Sequence, residues 1–469
     1  MEKAQLVFIP APARGHLVSA LEAAKLLLTR CHQLSITVLI LSHSSISSKV
    51  HNYVESRRAS SSTISNRLQF IDLPEDETES SSFSSFFERQ KLHVKEAVLK
   101  ITQSESSVDS PQLAGFVVDM FCTTMIDVAN EFGVPSYFFF TSGAAFLGFM
   151  LYVQKIHDEE KFDPTEFKDS NSELPVPSLV SPFPARVMPS AMLSKVWLPR
   201  LLYNARRFGE AKGIIVNTFL ELESHAIEYF KMPPVYPIGP ILDVASDGRS
   251  THQEIMQWLD DHPPSSVVFL CFGSMGSFGE DQVKEIAYAL EHSGHRFLWS
   301  LRQTPSSVGL LKSPSDYEDP QQVLPEGFLD RMGGIGKVIG WAPQVAVLAH
   351  PAIGGFVSHC GWNSILESIW FGVPIATWPM YAEQQFNAFQ MVTELGLAVE
   401  IKMDYRNDSG IIVNSDEIER GIRCLMEHDS EKRKKVKEMS ERSKMALIDG
   451  GSSYFWLGNL IKDVMDNLA

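Results

Sequence analysis

The sequence predicts an α/β protein built on parallel, doubly wound sheets. Residues 5–10 form a short apolar run, followed by a loop, a helix-spaced segment and a second apolar run at 35–41. Further on, 352–371 repeats the order strand, Gly-containing turn, helix. At roughly 100–200 residues per domain, the 469 residues allow two or three domains.

The first unit of the pattern is explicit. Strand 5–10 leads into the loop Pro12-Ala13-Arg14-Gly15-His16. Leu17, Leu21, Ala24 and Leu28 then give 17–29 one apolar helical face. Strand, loop, helix and strand open a doubly wound sheet, whose ligands bind at the carboxyl ends of the strands. His16 falls at that edge. Residues 113–118 read as another strand, with Asp119 just past its end. Histidine is the default general base, and a base histidine needs a partner that fixes its tautomer. If both strands share a sheet, His16 and Asp119 share an edge. The plainer readings stand beside this: a solvated loop histidine, and an aspartate capping a helix.

Residues 136–153 carry no charge and are long enough to span a bilayer. Pro135, Thr141, Ser142, Gly143 and Gly148 interrupt them, so strand, loop and buried helix is the reading, with no membrane span. Ser-rich stretches at 60–65 and 75–85, and a Pro- and Ser-containing stretch at 303–322, read as surface loops. Pro233, Pro234, Pro237 and Pro240 stiffen the chain before a linker at 241–251. The strand 266–270 then runs into Cys271-Phe272-Gly273-Ser274-Met275-Gly276-Ser277.

The densest information lies in 341–384. Strand 352–357 is followed by the turn Ser358-His359-Cys360-Gly361, and by helical residues 364–371 that end at Gly372 and Pro374. A Gly-containing turn entering a helix start makes an anion site. His359, Asn363 and Ser364 are placed to bind a phosphate there. Glu367 lies one turn after Asn363 on the same face and can accept from ribose hydroxyls. Trp341 offers a flat face to a base, with Gln344 near its edge. Glu383 and Gln384 follow a strand at 373–379 and could clamp sugar hydroxyls. Taken singly, the tryptophan reads as core and the histidine as structural; the joint pattern is what points to a nucleotide sugar.

The net charge is −16, from 41 basic and 57 acidic residues, which argues against a nucleic-acid partner. Five scattered cysteines without zinc spacing read as reduced thiols of a cytoplasmic protein. No targeting segment is read at the N-terminus.

The segment 341–384 resembles, without a gap, the nucleotide-sugar signature of plant family-1 UDP-dependent glycosyltransferases. The opening P-x-x-G-H and the later V-V-D at 117–119 resemble that family's catalytic histidine and its aspartate. The resemblance covers almost the whole chain. It implies two facing Rossmann-like domains, the GT-B fold: an acceptor domain at 1–240, a UDP-sugar domain at 252–446, and a final helix at 447–469 returning to the first. It implies His16 as base and Asp119 as its partner. Trp341 would stack on uracil, Ala342 would touch the base through its backbone, and Gln344 and Glu367 would hold the ribose. His359, Asn363 and Ser364 would bind the diphosphate; Trp362, Glu383 and Gln384 would hold the sugar. Thr141 and Ser142 would touch its outer hydroxyls, and Ser274 or Ser277 would approach the diphosphate. Glu383 stands where the family more often has Asp, and Gln384 matches the glucose-preferring form. Phe121, Phe140, Phe146, Met188 and Met192 line an acceptor pocket or are plain core.

The expected reaction is inverting transfer from UDP-glucose to a small lipophilic acceptor, a flavonoid-like phenolic or a triterpenoid, giving a β-glucoside. The sequence holds no Asp-x-Asp motif, so no metal or other cofactor is expected. A monomer is expected. The rival readings are a UDP-sugar epimerase or hydrolase, which needs no acceptor, and a non-catalytic UDP-sugar sensor, which needs no base. A dinucleotide oxidoreductase would carry G-x-G-x-x-G after the first strand, and residues 10–15 do not.

Overall fold

The computed structural model describes all residues except 1–2, 43–47, 59–63, 65, 77–82, 105–109, 169, 245–252, 306–312 and 469. The expected loops at 60–65 and 75–85 and the linker at 241–251 lie in large part, and the loop at 303–322 in part, outside the described residues. The chain forms two compact units. One comprises Met1–Phe162, Pro199–Leu242 and Met445–Ala469; the other comprises Asp163–Leu198 and Asp243–Lys444.

The first unit holds a parallel sheet of seven strands: β1 (Ala4–Ile9), β2 (Leu34–Ile40), β3 (Leu68–Asp72), β4 (Gln112–Asp119), β5 (Ser136–Phe140), β6 (Gly213–Val216) and β7 (Val235–Pro237). Their order is β3-β2-β1-β4-β5-β6-β7. All six residues of β1 are buried, as a parallel strand covered on both faces requires. Leu6 and Phe8 share a core with Leu17, Leu21, Ala24 and Leu28 of helix Arg14–Arg30, and with Leu457, Leu460 and Val464 of helix Ser452–Met465. That helix is tied further to the unit by Tyr137, whose hydroxyl donates to Asp463 at 2.7 Å, and by Ser453, which donates to the Gly239 carbonyl at 2.5 Å.

The second unit holds a parallel sheet of six strands: β8 (Val267–Cys271), β9 (Arg296–Ser300), β10 (Gly336–Ile339), β11 (Ile353–Ser358), β12 (Ile375–Thr377) and β13 (Ala398–Glu400). Their order is β10-β9-β8-β11-β12-β13. Both sheets thus follow the doubly wound order third-second-first-fourth-fifth-sixth, the first sheet adding a seventh strand, and a crevice opens where the connections leaving the paired first and fourth strands diverge. In the first unit that switch lies between β1 and β4, and in the second between β8 and β11.

Two expectations need correction. His16 is not in a loop but in the first turn of helix Arg14–Arg30. The residue before that helix, Ala13, offers no side-chain cap, so no local start signal marks it. Residues 163–198 belong to the second unit, not to a first domain at 1–240. Phe183 packs on Phe386 and Phe389, Arg406 donates to the Arg186 and Met188 carbonyls, and Glu394 accepts from the Val180 and Ser181 amides. The uncharged stretch 136–153 is β5, a turn and the start of helix Ala144–Glu160. Among the described residues no helix is long and apolar enough to cross a membrane.

Candidate active site

In the first unit, sheet register brings three chain segments to one edge. Ile9 pairs with Val118, and Asp119 pairs with Phe139, so the connections after β1, β4 and β5 leave neighbouring strand ends. From them come His16, Asp119 and Thr141. His16 Nδ1 lies 2.7 Å from Asp119 Oδ2. An ionised carboxylate only accepts, so Nδ1 carries the proton and Nε2 the lone pair. The second Asp119 oxygen accepts from the Phe121 amide at 2.9 Å, which fixes the carboxylate plane. Asp119 is buried, while the His16 side chain keeps 21% of its surface exposed. Such a pair can take a proton from a substrate at Nε2 and stabilise the resulting imidazolium.

Thr141 Oγ1 sits 3.1 Å from the same Nδ1 and donates to Met120 Sδ at 3.7 Å. It therefore touches His16 itself. Ser142 is buried next to it. Phe121 stands with its ring 5.2 Å from the His16 ring. Phe140 and Phe146 are buried and pack on each other, whereas Met188 and Met192 are buried in the second unit. Glu223, which the sequence reading passed over, is buried and accepts from the Ala144 and Ala145 amides at 2.8 and 2.9 Å. It caps the helix that follows Thr141-Ser142-Gly143. No local signal could reveal a cap arriving from 79 residues away.

In the second unit, Cys271 and Ser358 pair at the ends of β8 and β11. The loops that leave them enclose His359. A Cβ on Gly273 would lie 2.5 Å, and one on Gly361 2.6 Å, from His359 Nε2, so glycine at both positions makes room for the ring. His359 is buried, its Nδ1 has no hydrogen-bond partner among the described residues, and burial lowers its pKa to about 4. It is a neutral imidazole at pH 7 with a polar atom that a ligand oxygen would satisfy. Cys360, next in the chain, holds a left-handed φ of 63°, as does Ala382 just before Glu383 at 58°; such strain clusters at ligand sites.

Helix Trp362–Phe371 begins at Gly361 with no side-chain cap, and a helix start of this kind favours an anion. Trp362 and Ser364 are buried in its first turn, and Asn363 is half-buried. Gln344 Nε2 donates to Ser364 Oγ at 2.9 Å and to Glu367 Oε2 at 2.6 Å, which joins helix Gln344–Leu348 to that face. Gln384 Oε1 accepts from the Met380 and Tyr381 amides, so its carboxamide is oriented by backbone. Asn387 donates to the Cys360 carbonyl at 3.0 Å and stands 3.5 Å from Glu383, linking Glu383 to the His359 turn. Ser277 is buried and Ser274 exposed. Ala342 is buried beside the half-buried Trp341. Arg302 and Asn387 are the site neighbours that sequence reading missed; Arg302 lies with Cζ 5.1 Å from the Trp341 ring centroid.

Residues 227–436 match the family model described as UDP-glucoronosyl and UDP-glucosyl transferase. The chain is 75% identical over 451 residues to anthocyanidin 3-O-glucosyltransferase 1 of Manihot esculenta, covering 96% of this chain and all of that one. The chain belongs to the plant family-1 UDP-dependent glycosyltransferases. Two solved structures of such enzymes resemble this glycosyltransferase over nearly their full length. One, a transferase from Siraitia grosvenorii in complex with UDP, is 50% identical with a TM-score of 0.90, covering 99% of this chain and 100% of that one. The other, Medicago truncatula UGT71G1 complexed with UDP-glucose, is 44% identical with a TM-score of 0.87, covering 98% of each.

Proposed function

We propose that this glycosyltransferase is an inverting UDP-glucose-dependent O-glucosyltransferase that converts a hydroxyl of a flavonoid-type phenol into a β-glucoside. The observation that carries the proposal is the 2.7 Å contact between His16 Nδ1 and the buried Asp119 carboxylate. A sensor needs no such pair. The relatives named for anthocyanidin and flavonoid 3-O-glucosyl transfer support a flavonoid acceptor and its 3-hydroxyl.

In this mechanism His16 Nε2 takes the acceptor proton, and Asp119 stabilises the imidazolium. The acceptor oxygen bonds to the anomeric carbon from the face opposite the diphosphate. The bond from that carbon to the β-phosphate oxygen breaks, its electron pair leaves with UDP, and the configuration inverts. Trp341 and Ala342 receive uracil, and Gln344 and Glu367 hold the ribose. His359, Asn363, Ser364 and a serine of the 274–277 loop stabilise the diphosphate charge. Thr141, Ser142, Trp362, Glu383 and Gln384 hold glucose. Phe121, beside His16, is assigned to the acceptor end, and Phe140, Phe146, Met188 and Met192 are the further acceptor-pocket candidates. The enzyme works as a cytoplasmic monomer, with UDP-glucose as co-substrate and without a metal.

Mass spectrometry on a panel of flavonols, anthocyanidins and terpenoid alcohols with UDP-glucose and EDTA tests the proposal. A single-hexose gain on a flavonoid supports it. UDP-glucose consumed without acceptor, or transfer only to terpenoid alcohols, would overturn it.

A further inference from the structure

The ring assigned to the nucleobase does not stand alone. Ser300 and Ile339 pair at the ends of β9 and β10, and two residues beyond each come Arg302 and Trp341. Register therefore delivers both side chains to the same place. Arg302 is 5% exposed, and its Cζ lies 5.1 Å from the Trp341 ring centroid, within cation–π range.

The guanidinium is itself fixed. Its Nε lies 2.8 Å from Asp316 Oδ1 and donates to the Ser315 carbonyl at 3.3 Å; Nη2 donates to the Pro314 carbonyl. These acceptors sit on or beside Ser315–Asp316, which pairs antiparallel with Arg302–Gln303. Gly340, directly before Trp341, is held from both sides. Its carbonyl accepts from Ser300 Oγ at 2.7 Å, and a Cβ on it would lie 2.4 Å from Asp316 Cγ. A guanidinium tied at three points is a rigid plate, and a rigid plate against an indole restricts the ring's orientation. Restricting a binding group before the ligand arrives lowers the ordering cost of association.

We propose that Arg302, locked by Asp316, is a positioning residue that orients Trp341 as the platform for the donor nucleobase and thereby sets base selectivity. The inference rests on the reading of Trp341 as the uracil stacker. The ribbon that carries Asp316 becomes a tuning element for donor choice, reached through one cation.

The test is calorimetric titration of UDP and ADP into the full-length protein, for wild type, Arg302→Gln, Arg302→Lys, Asp316→Asn, Trp341→Ala and the double variant Arg302→Gln/Trp341→Ala. Arg302→Gln should weaken UDP about tenfold and ADP less, narrowing the preference between bases. Arg302→Lys, which keeps the charge but loses the fork, should recover part of the loss. In the Trp341→Ala background the Arg302 change should have no further effect on UDP. Asp316→Asn, on the exposed side of the pair, should give a smaller loss of the same sign, and it remains informative if Arg302→Gln fails to fold. Equal weakening of UDP and ADP, or independent effects of Arg302 and Trp341, would overturn the positioning role while leaving the platform intact. Unchanged UDP affinity in Trp341→Ala would overturn the platform reading and the inference with it.

Discussion

Asp119 Oδ2 and His16 Nδ1 meet at 2.7 Å across 103 residues of chain, and the opposite oxygen of the same carboxylate is held by the Phe121 amide. The aspartate is thus fixed at both ends before it orients the imidazole. His16→Ala is expected to lower kcat on a flavonoid by roughly 10²–10⁴-fold, the usual contribution of a general base. Asp119→Asn should lower kcat by a similar order, because an amide can donate to Nδ1 and stabilise the wrong tautomer. Steady-state kinetics with UDP titrations check both. Donor affinity should stay within twofold of wild type in each variant; a parallel loss of UDP binding would show that the pair serves the donor instead.

His359 gives a pH signature. Burial holds its pKa near 4 rather than the ordinary 6.5, so the unfolded chain binds this proton first as pH falls. Its contribution to stability is complete above about pH 6.5 and is lost as pH drops toward 4. At pH 4.5 the loss is on the order of 2 kcal/mol relative to pH 7. Urea unfolding of wild type and His359→Gln at both pH values should show the larger drop in wild type. His262 and His295 are also lowered by burial, but both proteins share them, so they cancel.

Gly361 has a φ of −63°, which any residue adopts, so substituting it probes space alone. The added Cβ would lie 2.6 Å from Nε2 of the buried His359 ring. Gly361→Ala should cost about 1–3 kcal/mol in overpacking. It should also weaken UDP binding at the displaced ring. A folded Gly361→Ala protein with wild-type UDP affinity by calorimetry would remove His359 from the diphosphate site.

Glu223 accepts from two buried amides at the start of helix Ala144–Glu160. Glu223→Ala leaves both donors without this acceptor, at a cost of roughly 1–3 kcal/mol each. Chemical denaturation should show that loss, and Glu223→Gln should recover about half, since one amide oxygen remains to accept. Because Thr141 lies three residues before Ala144 and touches His16, kcat should fall in the alanine variant at temperatures where the protein is still folded.

The parts of this site that lie close in sequence were legible in it. The turn 358–361, the helix start behind it and the pair Gln344–Glu367 all fall within one segment. The contact between His16 and Asp119 was legible for another reason: each follows a strand, and parallel strands of one sheet deliver their ends to one edge. What stayed hidden depends on register and on distant side chains. Arg302 meets Trp341 only because Ser300 pairs with Ile339. Asn387 supports the His359 turn from a helix 27 residues on. Residues 163–198 pack with the second unit through Phe386, Phe389 and Arg406, which lie more than 200 residues beyond the Phe183 and Arg186 they meet, so no local signal marks that membership. The helix carrying His16 was begun three residues late for want of a capping side chain.

Leu457, Leu460 and Val464 complete the apolar core around Leu6 and Phe8. Strand β1 is synthesised before Asp243–Lys444 and helix Ser452–Met465 after it. The first unit therefore keeps an uncovered apolar face throughout the synthesis of Asp243–Lys444, and its core closes only when that late helix arrives.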